Sequence, residues 1–129
     1  MKRKTIVTLL VCALVVSSVA VANAESYYFN DTTISETAWK AFVSNVSASL
    51  PEFKVYVIEA SKPVVGQCFM ASDNYTWASA LYTYPTTGNG GFNGRPYLSG
   101  VTNGTRVNWR MRTNNDTTGA ATVRGYFQP

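Results

Sequence analysis

The sequence predicts an all-β protein: a single antiparallel β-sandwich of about seven strands, Ig-like or jelly-roll-like, with an open barrel as the alternative. Three observations carry this expectation. Short segments rich in Val, Tyr, Phe, Trp and Thr recur along the chain, each bounded by Gly, Pro, Asn or Asp. Several of them alternate apolar and polar residues with the two-residue period of a strand. One stretch alone has helical spacing, and the roughly 105 residues that follow the N-terminal segment suit one domain.

That N-terminal segment stands apart from the fold. Lys2, Arg3 and Lys4 precede a nearly unbroken apolar run from Thr5 to Val21, and Ala22-Asn23-Ala24 supplies a small-x-small cleavage site. Residues 1–24 therefore read as a secretory signal peptide cleaved near Ala24. The apolar run is short for a membrane anchor, and Val11 is bulky where a lipidation signal at Cys12 would need a small residue. The expected product is a secreted, extracellular β-sandwich domain spanning residues 25–129. Loss of the leader removes three basic residues and no acidic one, so the formal charge of +4 falls to +1. A balance so near zero gives no support for a nucleic-acid partner.

Taken in order, Glu25–Ile34 is aromatic and β-branched and predicts the first strand. Ser35–Leu50 is ambiguous. Trp39, Phe42, Val43, Val46 and Leu50 fit an amphipathic helix behind a Ser35 N-cap, but the second half is Val, Ser and Asn, which are poor helix formers, and Trp39, Ala41 and Val43 alternate. A strand is the better reading in an otherwise β chain. Phe53–Ala60 is apolar on both faces and predicts a central strand ended by Pro63. Val64–Ala71 predicts another, followed by an Asp73-Asn74 turn. Trp77–Tyr84 alternates, while Pro85–Gly94 holds four glycines and predicts a loop. A short strand is expected about Tyr97–Leu98.

Thr105–Phe127 reads as two alternating strands joined by a turn rich in Asn, Asp and Gly, and so as a C-terminal β-hairpin. Val107, Trp109 and Met111 share one face of the first strand; Ala121, Val123, Gly125 and Phe127 share one face of the second. The predicted core is Val107, Trp109, Met111, Val55, Val57, Leu81, Val123 and Phe127.

The residue inventory restricts the chemistry. The chain has no histidine, and Cys68 is the single cysteine after the leader, so zinc-ligand sets and Cys-His pairs are excluded. Within VVGQCFMA, Cys68 reads as a free thiol buried as a small hydrophobe. Glu52 and Glu59 bracket one strand at an odd spacing, which places them on opposite faces and apart as an acid/base pair. Asp73-Asn74 and Asn114-Asn115-Asp116 are turn formers before they are calcium ligands. Asn30, Asn45, Asn74, Asn103 and Asn115 match the glycosylation acceptor pattern, a weak signal in Asn/Thr-rich turns. A non-enzymatic protein without cofactor or metal is expected.

Binding is the remaining class. Four of the five arginines after the leader fall on the polar faces of the last two strands. If those strands pair, Arg106, Arg110, Arg112 and Arg124 form one anion-binding surface suited to phosphate or carboxylate groups of anionic cell-envelope polymers or lipid head groups. Their competing use is to pair with Glu52 or Glu59, or to lie solvated over apolar surface. The 17 aromatic residues serve a core first, but Trp39, Trp77, Tyr82 and Tyr84 are less constrained and could make a platform for sugar rings in a carbohydrate-binding module.

The order of AWK at Trp39, PEFKVYV, VGQCF, PYLSG, RVNWRMRTNND and VRGYFQP behind a signal peptide resembles small secreted β-sandwich proteins of Gram-positive bacteria. Some of these are related to bacteriocins of the lactococcin type. The likeness spans most of the chain beyond the leader and contains no catalytic motif, so it implies a secreted domain with no site residue to carry over. It adds a membrane-acting bacteriocin or toxin to the functional alternatives and would leave the glycosylation matches idle.

Overall fold

The computed structural model describes residues 25–129, and the expected signal peptide lies outside the described residues. Eight strands make up the fold: β1 (Tyr27–Thr32), β2 (Lys40–Ser47), β3 (Glu52–Ala60), β4 (Val64–Met70), β5 (Tyr82–Tyr84), β6 (Asn93–Pro96), β7 (Arg106–Thr113) and β8 (Thr122–Gln128). They form two antiparallel four-stranded sheets, sheet A in the order β1-β8-β3-β6 and sheet B in the order β2-β7-β4-β5. The chain doubles back about the β4–β5 connection, so that β4 pairs with β5, β3 with β6, β2 with β7 and β1 with β8. Nested pairs that fall alternately in the two sheets are the jelly-roll form of a β-sandwich.

This nesting corrects the expected C-terminal hairpin. β7 and β8 do not pair with each other; β7 lies between β2 and β4 in sheet B, and β8 between β1 and β3 in sheet A. Alternation reports which face of a strand is buried, and it is silent on which sheet the strand joins. The buried faces themselves are as expected, with Val107, Trp109, Met111, Val55, Val57, Val123 and Phe127 all inaccessible to solvent. Leu81 is the exception. It is 44% exposed, because the predicted Trp77–Tyr84 strand shrinks to β5, with isolated bridges at Trp77 and Ser79.

Ser35–Leu50 resolves as strand β2, whose two register shifts against β7 account for its mixed spacing. The expected strand at Tyr97–Leu98 lies earlier, as β6, partly inside the predicted glycine-rich loop.

Between the sheets, aromatic rings meet around Trp109. Its indole stacks on Phe127 at 5.5 Å and 15°, and it packs against Phe53 at 5.8 Å and Tyr84 at 6.2 Å. Trp109 and Tyr84 come from sheet B, Phe53 and Phe127 from sheet A. The room for the indole comes from Gly66 on the neighbouring β4, where a Cβ would collide with the six-membered ring. Gly125 plays the same part in sheet A, where a Cβ would meet the Phe29 ring and the backbone of β3.

Two further devices close the sandwich. At one side Lys40 Nζ of β2 reaches Asp31 Oδ1 of β1 at 2.9 Å and the Thr32 carbonyl at 3.0 Å. The bond to Lys40 holds the Asp31 carboxyl below its ordinary pKa. At the other side, the loop after β5 continues the edge of sheet A where β6 stops. Asn89 Oδ1 accepts from Val57 N at 2.7 Å, and Asn89 Nδ2 donates to the Val55 carbonyl at 2.9 Å. Ala60 N donates to the Thr86 carbonyl at 3.2 Å.

The Trp109–Gly66 fit yields a graded prediction for chemical denaturation. Trp109→Ala should cost about 3–5 kcal/mol, and Gly66→Ala, which removes nothing and adds one methyl, about 1–3 kcal/mol through overpacking. Leu81→Ala should stay within about 0.5 kcal/mol of the parent, as at other exposed positions.

Candidate functional site

The two sheets differ on their outer faces. In sheet B, Val65, Gln67 and Phe69 of β4 point away from the core yet are buried. Trp39 lies across Phe69 at 5.1 Å, and the segment after β4 packs down through Gln67 Nε2, which donates to the Ser79 carbonyl at 2.8 Å. The outer face of sheet A is open.

Across that open face runs a row of aromatic rings. Pairing places Tyr28 of β1 opposite Tyr126 of β8, and Tyr126 opposite Tyr56 of β3. Phe92, just before β6, completes the row. Centroids are 5.2 Å apart for Tyr28–Tyr126, 5.7 Å for Tyr56–Phe92 and 6.1 Å for Phe92–Tyr126, with the planes tilted by 50–59°. Tyr28 is 53% exposed and Phe92 42%. Rings at the outward positions of three adjacent strands gain cross-strand contact, with Tyr28 and Phe92 exposed and Tyr56 and Tyr126 half-buried between them.

One step along the strands, the next cross-strand set is Asn30, Arg124 and Glu59. Glu59 stands there because of a register shift between Val57 and Glu59. That bulge reverses the parity of the strand and corrects the expectation that Glu52 and Glu59 face opposite ways: both lie on the outer side of sheet A, at opposite ends of β3. Arg124 Nε donates to Glu59 Oε1 at 2.7 Å. This bond holds the guanidinium above its ordinary pKa, and Tyr28 and Tyr56 are near enough to act on its charge. Asn30, Glu59, Ser61, Thr86, Thr122 and Arg124 line a hollow of about 290 Å³. On the far side of the aromatic row, Lys54 faces Gln128. The face therefore offers apolar ring surface flanked on both sides by hydrogen-bonding groups.

The four arginines do not assemble into one surface. Arg124 is on sheet A, whereas Arg106, Arg110 and Arg112 are on β7 in sheet B. The three on β7 fasten the segments that cross sheet B. Arg110 donates through Nη1 to the Asn74 carbonyl at 2.9 Å and through Nη2 to the Trp39 carbonyl at 3.0 Å, with its guanidinium 5.1 Å over the Phe69 ring. Arg112 donates to the Glu36 carbonyl at 2.9 Å and to Asn115 Oδ1, and lies 4.9 Å over the Trp39 ring. Arg106 donates to the Asn45 carbonyl at 3.1 Å. Between them, buried Asn108 accepts from Asn45 N at 2.7 Å and donates to Asn74 Oδ1. Asn45 and Asn74 both have left-handed backbones, with φ of 56° and 60°.

The aromatic platform expected from Trp39, Trp77, Tyr82 and Tyr84 is likewise not assembled. Trp39 is held between Phe69 and Arg112, Tyr82 lies against Phe53 and under Arg95, and Tyr84 is buried, which leaves Trp77 as the exposed member of the four. The rings that do line up are different ones. Tyr126 alternates with Phe127 and Tyr28 with Phe29, so an outward tyrosine beside an inward phenylalanine was the available signal. Neither the cross-strand register nor the part played by Phe92 is written locally.

The remaining chemistry is confined to structural roles. Cys68 is a free, fully buried thiol, and burial pushes its pKa well above the ordinary value against a smaller opposing effect of the Ser79 hydroxyl. Asp73 accepts from Tyr75 N and Thr76 N, both at 2.9 Å, and from Thr76 Oγ1 at 2.6 Å, as a turn residue does.

Replacing Arg112 by Met keeps the apolar stem and removes the donors. It should lower unfolding stability by about 1–2 kcal/mol, through the lost carbonyl bonds and the contact with Trp39. Exposed arginines with no structural partner would show no loss, so thermal or urea melts of Arg112→Met and Arg110→Met discriminate.

In comparisons with protein-family models, curated proteins and solved structures, nothing matches this chain.

Proposed function

We propose that this protein is a secreted, non-enzymatic interaction module that binds carbohydrate on the outer face of sheet A. The observation that carries the reading is the row Tyr28, Tyr126, Tyr56 and Phe92, flanked by polar side chains. Sugars have an apolar C–H face and a hydroxyl rim. A surface that recognises them needs exposed rings for the first and dense donors and acceptors for the second. The fold itself carries no such implication, because jelly rolls host many unrelated functions.

Anionic envelope polymers held by an arginine face are less well supported. Arg106, Arg110 and Arg112 are turned to backbone carbonyls, and Arg124 is neutralised by Glu59.

Calorimetric titration with a panel of soluble glucans, mannans, galactans and xylans tests the reading. At least one should bind, with affinity changing by less than about twofold between low and physiological salt, where screening would weaken a charge-driven complex. Tyr126→Ala should reduce that affinity by about tenfold or more, since a ring stacked on a ligand contributes on the order of 1–2 kcal/mol. Dye release from anionic liposomes with no glycan binding would identify a membrane-acting toxin instead.

A further inference from the structure

We infer that the hollow beside the aromatic row is a subsite for one neutral sugar residue, and that the Arg124–Glu59 pair reads two adjacent hydroxyls of that residue. The inference rests on the carbohydrate-binding reading and specifies its ligand.

The geometry has three parts. The first is position: Asn30, Arg124 and Glu59 form the cross-strand set next to Tyr28, Tyr126 and Tyr56, about 7 Å further along the strands. A sugar lying on the rings thus has its neighbour, or its own hydroxyl rim, over the hollow. The second is size. At about 290 Å³ the hollow sits at the lower end of small-molecule sites, enough for a single ring and too small for a second.

The third part is chemistry. The ion pair uses Arg124 Nε and Glu59 Oε1. The guanidinium Nη groups add donors from a planar fork, and Oε2 adds an acceptor beside them. Vicinal hydroxyls, each both donor and acceptor, match a donor and an acceptor set side by side. Because the two charges cancel locally, the fork gives no net attraction to a phosphate or carboxylate, which would also meet repulsion from Glu59. A neutral diol meets neither cost. Glu59 reaches this position through the bulge in β3, and bulges recur where a side chain is re-aimed beside a site.

The test uses the domain as secreted, the best-binding glycan of the panel, and a methyl glycoside of its sugar with its deoxy analogue lacking one of the adjacent hydroxyls. Glu59→Gln and Arg124→Gln should each weaken glycan binding by about tenfold or more and erase most of the preference for the glycoside over its deoxy analogue. Their melting temperatures should stay within about 2 °C of the parent, since the pair is exposed. If both variants bind the glycan within about twofold of the parent while Tyr126→Ala still loses binding, the subsite is wrong and the aromatic surface stands. If Tyr126→Ala binds as well as the parent, or no glycan binds the parent, the carbohydrate reading fails and the subsite with it. Preference for an acidic over a neutral sugar, weakened by salt, would overturn neutrality at this position.

Discussion

Trp109 sits where the two sheets meet, stacked on Phe127, packed on Phe53 and Tyr84, and let in by the missing side chain of Gly66. Its indole Nε1 has no acceptor among the described residues, which costs about 1–3 kcal/mol for a buried donor. Burying an indole of about 200 Å² at 25 cal/mol per Å² returns about 5 kcal/mol, so the ring is favoured despite its orphaned proton. That one placement joins the two sheets through Phe53 and Phe127 on one side and Tyr84 on the other, and requires Gly66 of β4 to stand opposite Met111, beside the indole.

The sheets then divide their labour. Sheet B is covered on its outer side by the segments around Trp39 and Asn74–Ser79, and the arginines of β7 satisfy carbonyls that those segments would otherwise leave unpaired. Without histidine or a reactive thiol, the protein has its side-chain diversity in tyrosine, arginine and amides. On sheet B these groups are consumed internally. On sheet A the same kinds of group stand in ordered rows with no chain segment packed across them, and that openness sets the face apart as a candidate surface.

Much of this was legible in the sequence, because a strand's alternation is a local property. Val107, Trp109, Met111, Val123 and Phe127 announce their burial through their neighbours, and their solvent accessibility agrees. Partner choice is not local. β7 and β8 are consecutive and share a turn-rich connection, yet each finds its neighbours about 40 to 100 residues earlier in the chain, through nested pairing that no window of sequence contains. The single arginine surface is divided between the sheets for that reason, and the local bonds of its members complete the difference. The rings of the candidate site were partly readable, since Tyr28 and Tyr126 occupy outward positions of alternating strands. Tyr56 was masked by a segment apolar on both faces, and Glu59 by a bulge that reverses the count along β3.

The side chain of Asn89 has a consequence outside recognition. Its amide bonds Val57 N and the Val55 carbonyl as the backbone of another strand would, just beyond the point where β6 leaves β3. A bare strand edge is a template on which a second chain can add. By finishing the edge with a side chain, the loop satisfies the backbone groups of β3 without presenting a new row of them. Beyond β6, the outer strand of sheet A on this side, the remaining edge of β3 is thus closed by the Asn89 amide together with the backbone bonds from Asn89 N to the Val57 carbonyl and from Ala60 N to the Thr86 carbonyl.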